Sequence, residues 1–246
     1  MRVRGGRATY GEVLGIIVME KQFPRVPGDV GNASTYDFPV RFHVLKGFSG
    51  PEFAEMRRRV FEGDRTLLPV FVAAAQELQA AGVRAITTNC GFLIAFQEDL
   101  AAAVDVPVFT SSLMQVPLVH RLIGPRKKVG IITAQASALG PRHLEAAGAA
   151  GVPVAVAGMD EAEGHRPLRE NLLELDTEVM RRDLVDVARR LVAREPSVGA
   201  IVFECANHPP WSRDVQDAVG LPVFDLVTLC QWVYRAVVQR AYQGIM

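Results

Sequence analysis

Several features that would narrow the function are scarce or missing in this sequence. The 246 residues carry 27 basic and 27 acidic side chains, so the formal net charge is zero. A nucleic-acid-binding protein needs a basic surface, which this balance does not supply. No apolar run approaches the roughly 20 residues that cross a bilayer. We therefore expect neither a nucleic-acid partner nor a membrane partner.

The amino-terminal segment lacks the marks of a secretory signal. A signal peptide begins with a basic region, and the chain has three early arginines, Arg2, Arg4 and Arg7. However, the apolar stretch after them ends at Glu20 and Lys21 without a small-residue cleavage site. With 49% hydrophobic and 22% charged residues, the composition is that of a globular protein of one large or two ordinary domains. A cytoplasmic protein is predicted.

Lysine is rare, which bears on cofactors. Of the four lysines, only Lys46 follows a predicted strand as a Schiff-base lysine would, and it lacks an aromatic or phosphate-binding context. The glycines at 11–15 and 28–31 do not form a dinucleotide-binding fingerprint. We expect no cofactor.

Cysteine is also rare. Three cysteines cannot pair completely, no CxxC motif occurs, and the five histidines are not clustered at ligand spacing. Neither a disulfide framework nor a metal site is expected. Cys230 lies in an amphipathic helical pattern and is assigned to the core, which leaves Cys90 and Cys205 as candidate reactive thiols.

These two cysteines occupy equivalent positions in an internal repeat with an offset of 115 residues. Residues 85–109 align with 200–224 without a gap, and nine of the twenty-five pairs are identical. Gly15-Ile16-Ile17 matches Gly130-Ile131-Ile132 at the same offset. The chain is therefore predicted to contain two homologous halves, each presenting one cysteine.

Strand and helix patterns alternate along both halves at about 30 residues per unit, which predicts parallel sheets covered on both faces. The predicted fold is α/β: two doubly wound halves related by a pseudo-twofold axis, with an active site in the cleft between them. The predicted division is 1–115 with the C-terminal helix 226–246, and 116–225. Polar residues at Glu161–Arg169 predict an exposed segment, followed by a helix over Asn171–Arg194; the last helix is predicted over Leu226–Tyr242.

In such sheets, ligands bind beyond the carboxyl ends of the strands, where Cys90 and Cys205 are predicted to lie. Two thiols facing one ligand from opposite sides suit proton removal by one and proton delivery by the other. A helix is expected to begin after each cysteine and to lower its pKa from about 8.5. The loop 24–39 follows the first strand, and its Asp29 and Asn32 are candidates for substrate contact.

The motifs around Thr87–Phe92 with Val106–Ser112, and Phe203–Trp211 with Leu221–Asp225, resemble those of the aspartate/glutamate racemase superfamily. That superfamily includes hydantoin racemases, maleate isomerases and arylmalonate decarboxylases. The resemblance implies cofactor-independent chemistry with Cys90 and Cys205 as acid and base. The residues predicted to bind substrate are Thr88, Asn89, Gly91, Thr133, Ser137, Ala206, Asn207 and His208.

Two triplets depart from the amino-acid racemases of that group, which have Cys-Asn-Thr and Cys-Thr. Here the cysteines begin Cys90-Gly91-Phe92 and Cys205-Ala206-Asn207. These changes point away from a free amino acid and leave the hydantoin, maleate and malonate branches open. Glu204 and His208 flank the second cysteine, and either can orient it or shuttle protons.

The sequence predicts a cofactor-independent racemase or epimerase acting next to a carboxylate or carbonyl of a small carboxylate-type substrate. The alternatives are a cysteine-dependent cis–trans isomerase, a decarboxylase of small dicarboxylates, or a small-ligand-binding protein without catalysis. A homodimer is expected, since symmetric dimers are the commonest assemblies.

Overall fold

In the computed structural model, residues 2 and 5–245 are described, and strands alternate with helices through most of that length. The strands are β1 Leu14–Met19, β2 Val40–Leu45, β3 Ala85–Thr88, β4 Val108–Phe109, β5 Lys128–Thr133, β6 Val154–Gly158, β7 Val198–Phe203 and β8 Val223–Phe224. The α-helices are α1 Phe53–Phe61, α2 Leu68–Ala81, α3 Gln97–Ala102, α4 Val116–Ile123, α5 Pro141–Ala146, α6 Arg166–Glu170, α7 Thr177–Arg194, α8 Ser212–Val219 and α9 Leu226–Val237.

The strands form two four-stranded parallel sheets with the same order, β2-β1-β3-β4 and β6-β5-β7-β8. Strand β1 lies between β2 and β3, and β5 lies between β6 and β7. Every pairing is parallel, so the carboxyl ends of β1 and β3 share one edge, as do those of β5 and β7. The predicted α/β fold with two equivalent parallel-sheet halves is confirmed.

The glycine shared by the two central strands explains one of the repeated matches. A Cβ atom on Gly15 would lie 3.1 Å from Leu78 and Val83, and one on Gly130 would lie 3.0 Å from Val198. In each half, a side chain at the start of the neighbouring strand segment packs against this glycine. The same contact, a valine side chain on a central-strand glycine, therefore occurs in both halves.

The hydrophobic core crosses the boundary between the sheets. Ala134 and Cys205 of the second half belong to the same buried cluster as Phe61, Phe71 and Phe92 of the first. Helix α9 returns to the first sheet, because Leu226 packs in a cluster with Leu14 and Ala85. This packing places the C-terminal helix against the first sheet; the division at residue 115 stays a prediction.

Three predicted segments are wrong in part. The segment 161–169 is not fully exposed, since its short 3₁₀ turn Glu163–His165 buries His165 to 2% exposure. The helix predicted from Asn171 begins instead at Thr177, because Asn171 adopts a left-handed conformation that ends α6, and Asp176 caps α7. The last helix ends at Val237.

None of the helices in the described part of the chain has the length and hydropathy needed to cross a lipid bilayer. The cytoplasmic location and the homodimer stay predictions.

Candidate active site

A cavity of about 60 Å³ lies beyond the carboxyl ends of the central strands, and both halves contribute to its lining. Cys90, which follows β3, and Cys205, which follows β7, both line it. A volume of this size holds about four water molecules. The fold therefore brings the two repeated cysteines to one small cavity, as the repeat predicts.

The backbone around the two thiols is equivalent in the two halves. The backbone N–H of Phe92 points at the Cys90 thiol, and the backbone N–H of Asn207 points at the Cys205 thiol. Each donor lies two residues after its cysteine. A 3₁₀ helix begins at Gly91, directly after Cys90, whereas the corresponding 3₁₀ helix after Cys205 begins later, at Pro209. The expected helix start is thus present at the first cysteine and displaced at the second.

The predicted lowering of the thiol pKa values is wrong. Burial raises the pKa of Cys90 to about 12 and raises that of Cys205 well above its ordinary value. The negative charge of Glu204 acts in the same direction on both thiols, while Lys21 and Arg57 oppose it at Cys90. Desolvation outweighs the single backbone donor at each sulfur. Cys90 is the more readily ionised thiol of the two.

One equivalent position differs in chemistry between the halves: Asn89 in the first and Glu204 in the second. Both side chains are buried, and each accepts an N–H from the central strand region of its own half. Asn89 Oδ1 accepts from Met19 at 3.0 Å, and Glu204 Oε2 accepts from Ala134 at 3.4 Å and from the Thr133 hydroxyl at 2.7 Å. The second half therefore brings a carboxyl group to a position where the first half has a neutral amide.

Burial raises the pKa of Glu204 from 4.5 to about 7, against the lowering effect of its two hydrogen bonds and of Arg57. Its second oxygen, Oε1, is buried and has no hydrogen-bond partner. This oxygen lies against Gly91 of the first half, where an added Cβ would come within 2.3 Å of it. Glu204 therefore lines the cavity next to Cys90 with a proton affinity suited to transfer near neutral pH.

Three basic side chains line the same cavity, and each lies over a phenylalanine ring that also lines it. Lys21 Nζ is 4.2 Å from the centre of the Phe53 ring. The guanidinium carbon of Arg57 is 4.5 Å from the Phe61 ring, and that of Arg25 is 4.9 Å from the Phe23 ring. Cation–π contacts of this kind hold the cations in partly apolar surroundings. The cavity wall is therefore positively charged and aromatic, which suits a small anion.

Lys21 is the cation most affected by this setting. Burial lowers the pKa of its amine to about 8, although a Cys90 thiolate would raise it. In turn, the positive charge of Lys21 lowers the pKa of the Cys90 thiol. Lys21 and Cys90 therefore stabilise each other in their charged forms.

The loop 24–39 contacts the second half without lining the cavity through its candidate residues. Asp29 is buried, forms an ion pair with Arg25 at 2.8 Å and accepts a hydrogen bond from Asn207 Nδ2 at 2.7 Å. Asn32 caps the short 3₁₀ turn Ala33–Thr35. Asp29 thus positions Arg25 and Asn207, and Asn32 has a local structural role, so substrate contact by either is not supported.

Two buried histidines lie beside Cys205. The ring centres of His165 and His208 are 5.4 Å apart, and neither ring has a hydrogen-bond partner at either nitrogen. Burial lowers the pKa of His165 to about 3 and that of His208 well below 6.5, so both rings are neutral. A buried polar group without a partner costs about 1–3 kcal/mol. The absence of ligand spacing in the sequence does not indicate this pair, because the fold joins two histidines that are far apart in sequence.

The predicted binding residues separate into two groups. Asn89, Gly91, Ala206 and Asn207 line the cavity with the cysteines. The remaining four, which lie elsewhere, are Thr88, Thr133, Ser137 and His208. The Thr88 hydroxyl donates to the Thr110 carbonyl at 2.8 Å, Thr133 holds Glu204, Ser137 is exposed near Asp160, and His208 packs beside Cys205 away from the lining.

Sequence reasoning missed most of the charged and aromatic lining. Lys21 lies two residues after the end of β1, and the rule that ligands bind at carboxyl strand ends would have included it. Arg57 and Phe61 come from α1, whose approach to the cavity depends on tertiary packing that no local pattern indicates. His165 was hidden in a polar segment that was predicted to be exposed.

The repeat, the paired sheets and the two thiols at one cavity define a class of proteins, and comparison with known families agrees. The Asp/Glu/Hydantoin racemase family model matches residues 35–232. The chain belongs to the Asp/Glu/hydantoin racemase family.

Particular relatives carry different activities. A dimethylsulfoniopropionate lyase from Durusdinium sp. clade D is 29% identical over 237 residues, covering 94% of this chain and 77% of that protein. The solved structure of unliganded arylmalonate decarboxylase superposes with a TM-score of 0.59 at 18% identity and covers 94% of each chain. A putative Asp/Glu racemase from Yersinia pestis superposes with a TM-score of 0.58 at 18% identity, over 93% of this chain and 100% of that one. The structural neighbours share the fold.

Proposed function

We propose that this protein is a cofactor-independent lyase that removes the proton next to the carboxylate of a small substrate, with a β-sulfonio carboxylate such as dimethylsulfoniopropionate as the substrate class. The observation that carries the proposal is the small cavity holding two thiols, a buried carboxyl group and three cations. The similarity to the dimethylsulfoniopropionate lyase supports the choice of substrate.

Cys90 is the proposed base. Its thiol lies beside Lys21 and Arg57, whose charges favour the thiolate, and beside Glu204, whose carboxylate is the proposed acceptor of the thiol proton. The substrate carboxylate pairs with Lys21 and Arg57, which withdraw charge as the adjacent carbon loses its proton. These two cations therefore stabilise the negative charge that develops on the substrate as the proton leaves.

The elimination balances without a cofactor. The thiolate takes the proton from the carbon next to the carboxylate, and the C–H electron pair forms a carbon–carbon double bond. The bond between the β-carbon and sulfur breaks, its electrons neutralise the sulfonium, and dimethyl sulfide and acrylate leave with one proton. The sulfonium group needs no hydrogen bond, so apolar lining such as Phe61, Phe92 and Leu168 suits it.

A second candidate is the racemase or epimerase predicted from the sequence. It is favoured by the second thiol, since Cys205 shares the cavity and its backbone donor is equivalent to that of Cys90. In that reaction Cys205 returns a proton to the opposite face of the same carbon. The lyase needs one base, whereas the racemase needs both thiols.

The two candidates are separated by products. Purified protein is incubated in deuterium oxide with dimethylsulfoniopropionate, and dimethyl sulfide and acrylate are measured by gas chromatography and NMR. Parallel samples contain amino acids, hydantoins or small diacids, and deuterium incorporation is followed. The proposal expects both lyase products from the wild type and at least a hundredfold slower release from Cys90→Ala.

Cys230→Ala is the matched control, because Cys230 is buried in α9 away from the cavity and should leave turnover unchanged. Deuterium exchange into an amino acid or hydantoin without dimethyl sulfide release would refute the lyase and favour the racemase.

A further inference from the structure

We propose that His165, Cys205 and His208 form a binding site for a thiophilic divalent metal ion of the Zn²⁺ class. The two imidazoles and the thiol are buried, and one ligand atom from each residue lies within 4.8 Å of the others. All four imidazole nitrogens lack a hydrogen-bond partner in the protein. A metal ion would give a partner to one nitrogen of each ring.

Two separate turns of the chain carry the three donor side chains. Cys205 and His208 are joined by a tight turn in which the His208 N–H donates to the Cys205 carbonyl at 3.1 Å. His165 ends a separate 3₁₀ turn that is anchored where the Gly164 N–H donates to Asp183 at 2.9 Å. The site therefore needs tertiary structure to assemble, which explains why its spacing is invisible in the sequence.

The donor set selects the kind of metal. One thiolate and two imidazoles suit Zn²⁺ and its relatives, whereas Mg²⁺ and Ca²⁺ prefer oxygen ligands. With Zn–S near 2.3 Å and Zn–N near 2.0 Å, tetrahedral donors stand about 3.3–3.6 Å apart, so the three side chains would close by about 1 Å. Cys205 and His165 also line the cavity, so a fourth position would face it.

The nearby charges are mixed. Arg57 and Arg169 lie close enough to act on His165, and they oppose a cation. Glu204 and Asp29 act on Cys205 with negative charge, and the thiol contributes a further negative charge when it loses its proton to the solvent on metal binding. The negative charges of Glu204, Asp29 and the Cys205 thiolate together offset the charge of the metal ion.

The test measures metal binding by the full chain without substrate, so its outcome is independent of the proposed lyase activity. Chelator-treated protein is titrated with Zn²⁺ against a chromophoric competitor, and with Co²⁺ while absorption spectra are recorded. We expect one Zn²⁺ per chain, no displacement by Mg²⁺, and a Co²⁺ form with thiolate charge-transfer and tetrahedral d–d bands. Calorimetry in buffers of different ionisation enthalpy should show about one proton released per metal ion.

Cys205→Ala should abolish the charge-transfer band, and His165→Gln and His208→Gln should each weaken Zn²⁺ binding by at least tenfold. His43→Gln, a histidine on β2, and Cys230→Ala serve as matched controls and should bind as the wild type does. Failure of the wild type to bind Zn²⁺ stoichiometrically, or a Co²⁺ form without the thiolate band, would overturn the proposal even if the variants fail to fold.

Discussion

The two halves of this molecule share a strand order, a central glycine and a thiol that faces the backbone N–H of the residue two positions on. They differ in the side chains placed around that thiol. Cys90 has Asn89 before it and two cations near it, whereas Cys205 has Glu204 before it and two neutral histidines beside it. Duplication thus retained the geometry of the thiol while its electrostatic surroundings diverged.

This difference assigns unequal proton affinities to two equivalent atoms. Lys21 and Arg57 partly offset the effect of burial on the pKa of the first thiol, whereas Glu204 and Asp29 add to that effect at the second; burial keeps both thiols protonated at neutral pH.

The largest effect is expected from removing the thiols one at a time. Cys90→Ala should lower kcat for elimination by about 10³-fold, within the usual range for a lost general base. Cys205→Ala should lower it by no more than about tenfold, because elimination needs one base. Steady-state rates of dimethyl sulfide release measure both. Equal losses would show that the halves act symmetrically, as a two-base racemase requires.

Glu204→Gln tests the second asymmetry. We expect kcat near pH 7.5 to fall about a hundredfold, because the Cys90 proton loses its acceptor. In the wild type, kcat/KM should rise as Glu204 ionises through about pH 7 and fall as Lys21 loses its proton through about pH 8. Rate profiles from pH 5.5 to 9.5 should show this bell, and the rise should be absent from the variant.

The same substitution has a predicted effect on stability. Because the pKa of Glu204 is raised from 4.5, its contribution to stability is full below about pH 4.5 and is lost as pH rises through about 7. Glu204→Gln should therefore be more stable than the wild type at pH 8 but not at pH 4.5. Urea unfolding at the two pH values is the measurement, and an equal difference at both would contradict the burial argument.

Gly91 and Ala206 occupy equivalent positions and allow a reciprocal exchange. Gly91→Ala would bring a Cβ within 2.2 Å of the Glu204 carbonyl oxygen, so we expect a loss of about 1–3 kcal/mol in the free energy of unfolding. Ala206→Gly should cost no more than about 1 kcal/mol through added backbone freedom. Denaturant titrations compare the two, and similar losses would mean that the close approach is relieved elsewhere.

A modest effect on substrate binding is expected at the carboxylate anchor. Lys21→Met retains the apolar stem over Phe53 and removes the charge, so KM should rise about tenfold with a smaller change in kcat. Lys46→Met is the matched control, since Lys46 is exposed and pairs with Glu20 outside the cavity. Substrate-saturation curves separate the two parameters. An unchanged KM in Lys21→Met would place the carboxylate elsewhere.

The repeat explains why the fold and the thiol pair were predictable from sequence. Residues 85–109 and 200–224 encode a strand, a cysteine turn and a short helix twice, and local patterns of that kind survive without tertiary information.

The rest of the site depends on contacts that no single segment contains. Arg57 reaches the cavity only because α1 packs beside the first sheet, and the His165 turn is buried only because Gly164 lies against α7. The thiol pKa values depend on desolvation by both halves together. Local sequence indicates a helix near each cysteine but does not show how far the thiols are buried, so the sign of the pKa shift was missed.

The contact of Glu204 with Gly91 joins the two halves at a titratable group. If the cleft between the halves widens, water reaches the carboxyl group, its pKa falls towards 4.5 and the molecules that hold a proton there at neutral pH release it. When the halves close again, the carboxyl group takes up protons. Opening and closing of this cleft are therefore coupled to loss and uptake of protons at Glu204. The equilibrium between the open and closed forms would depend on pH even with no ligand bound.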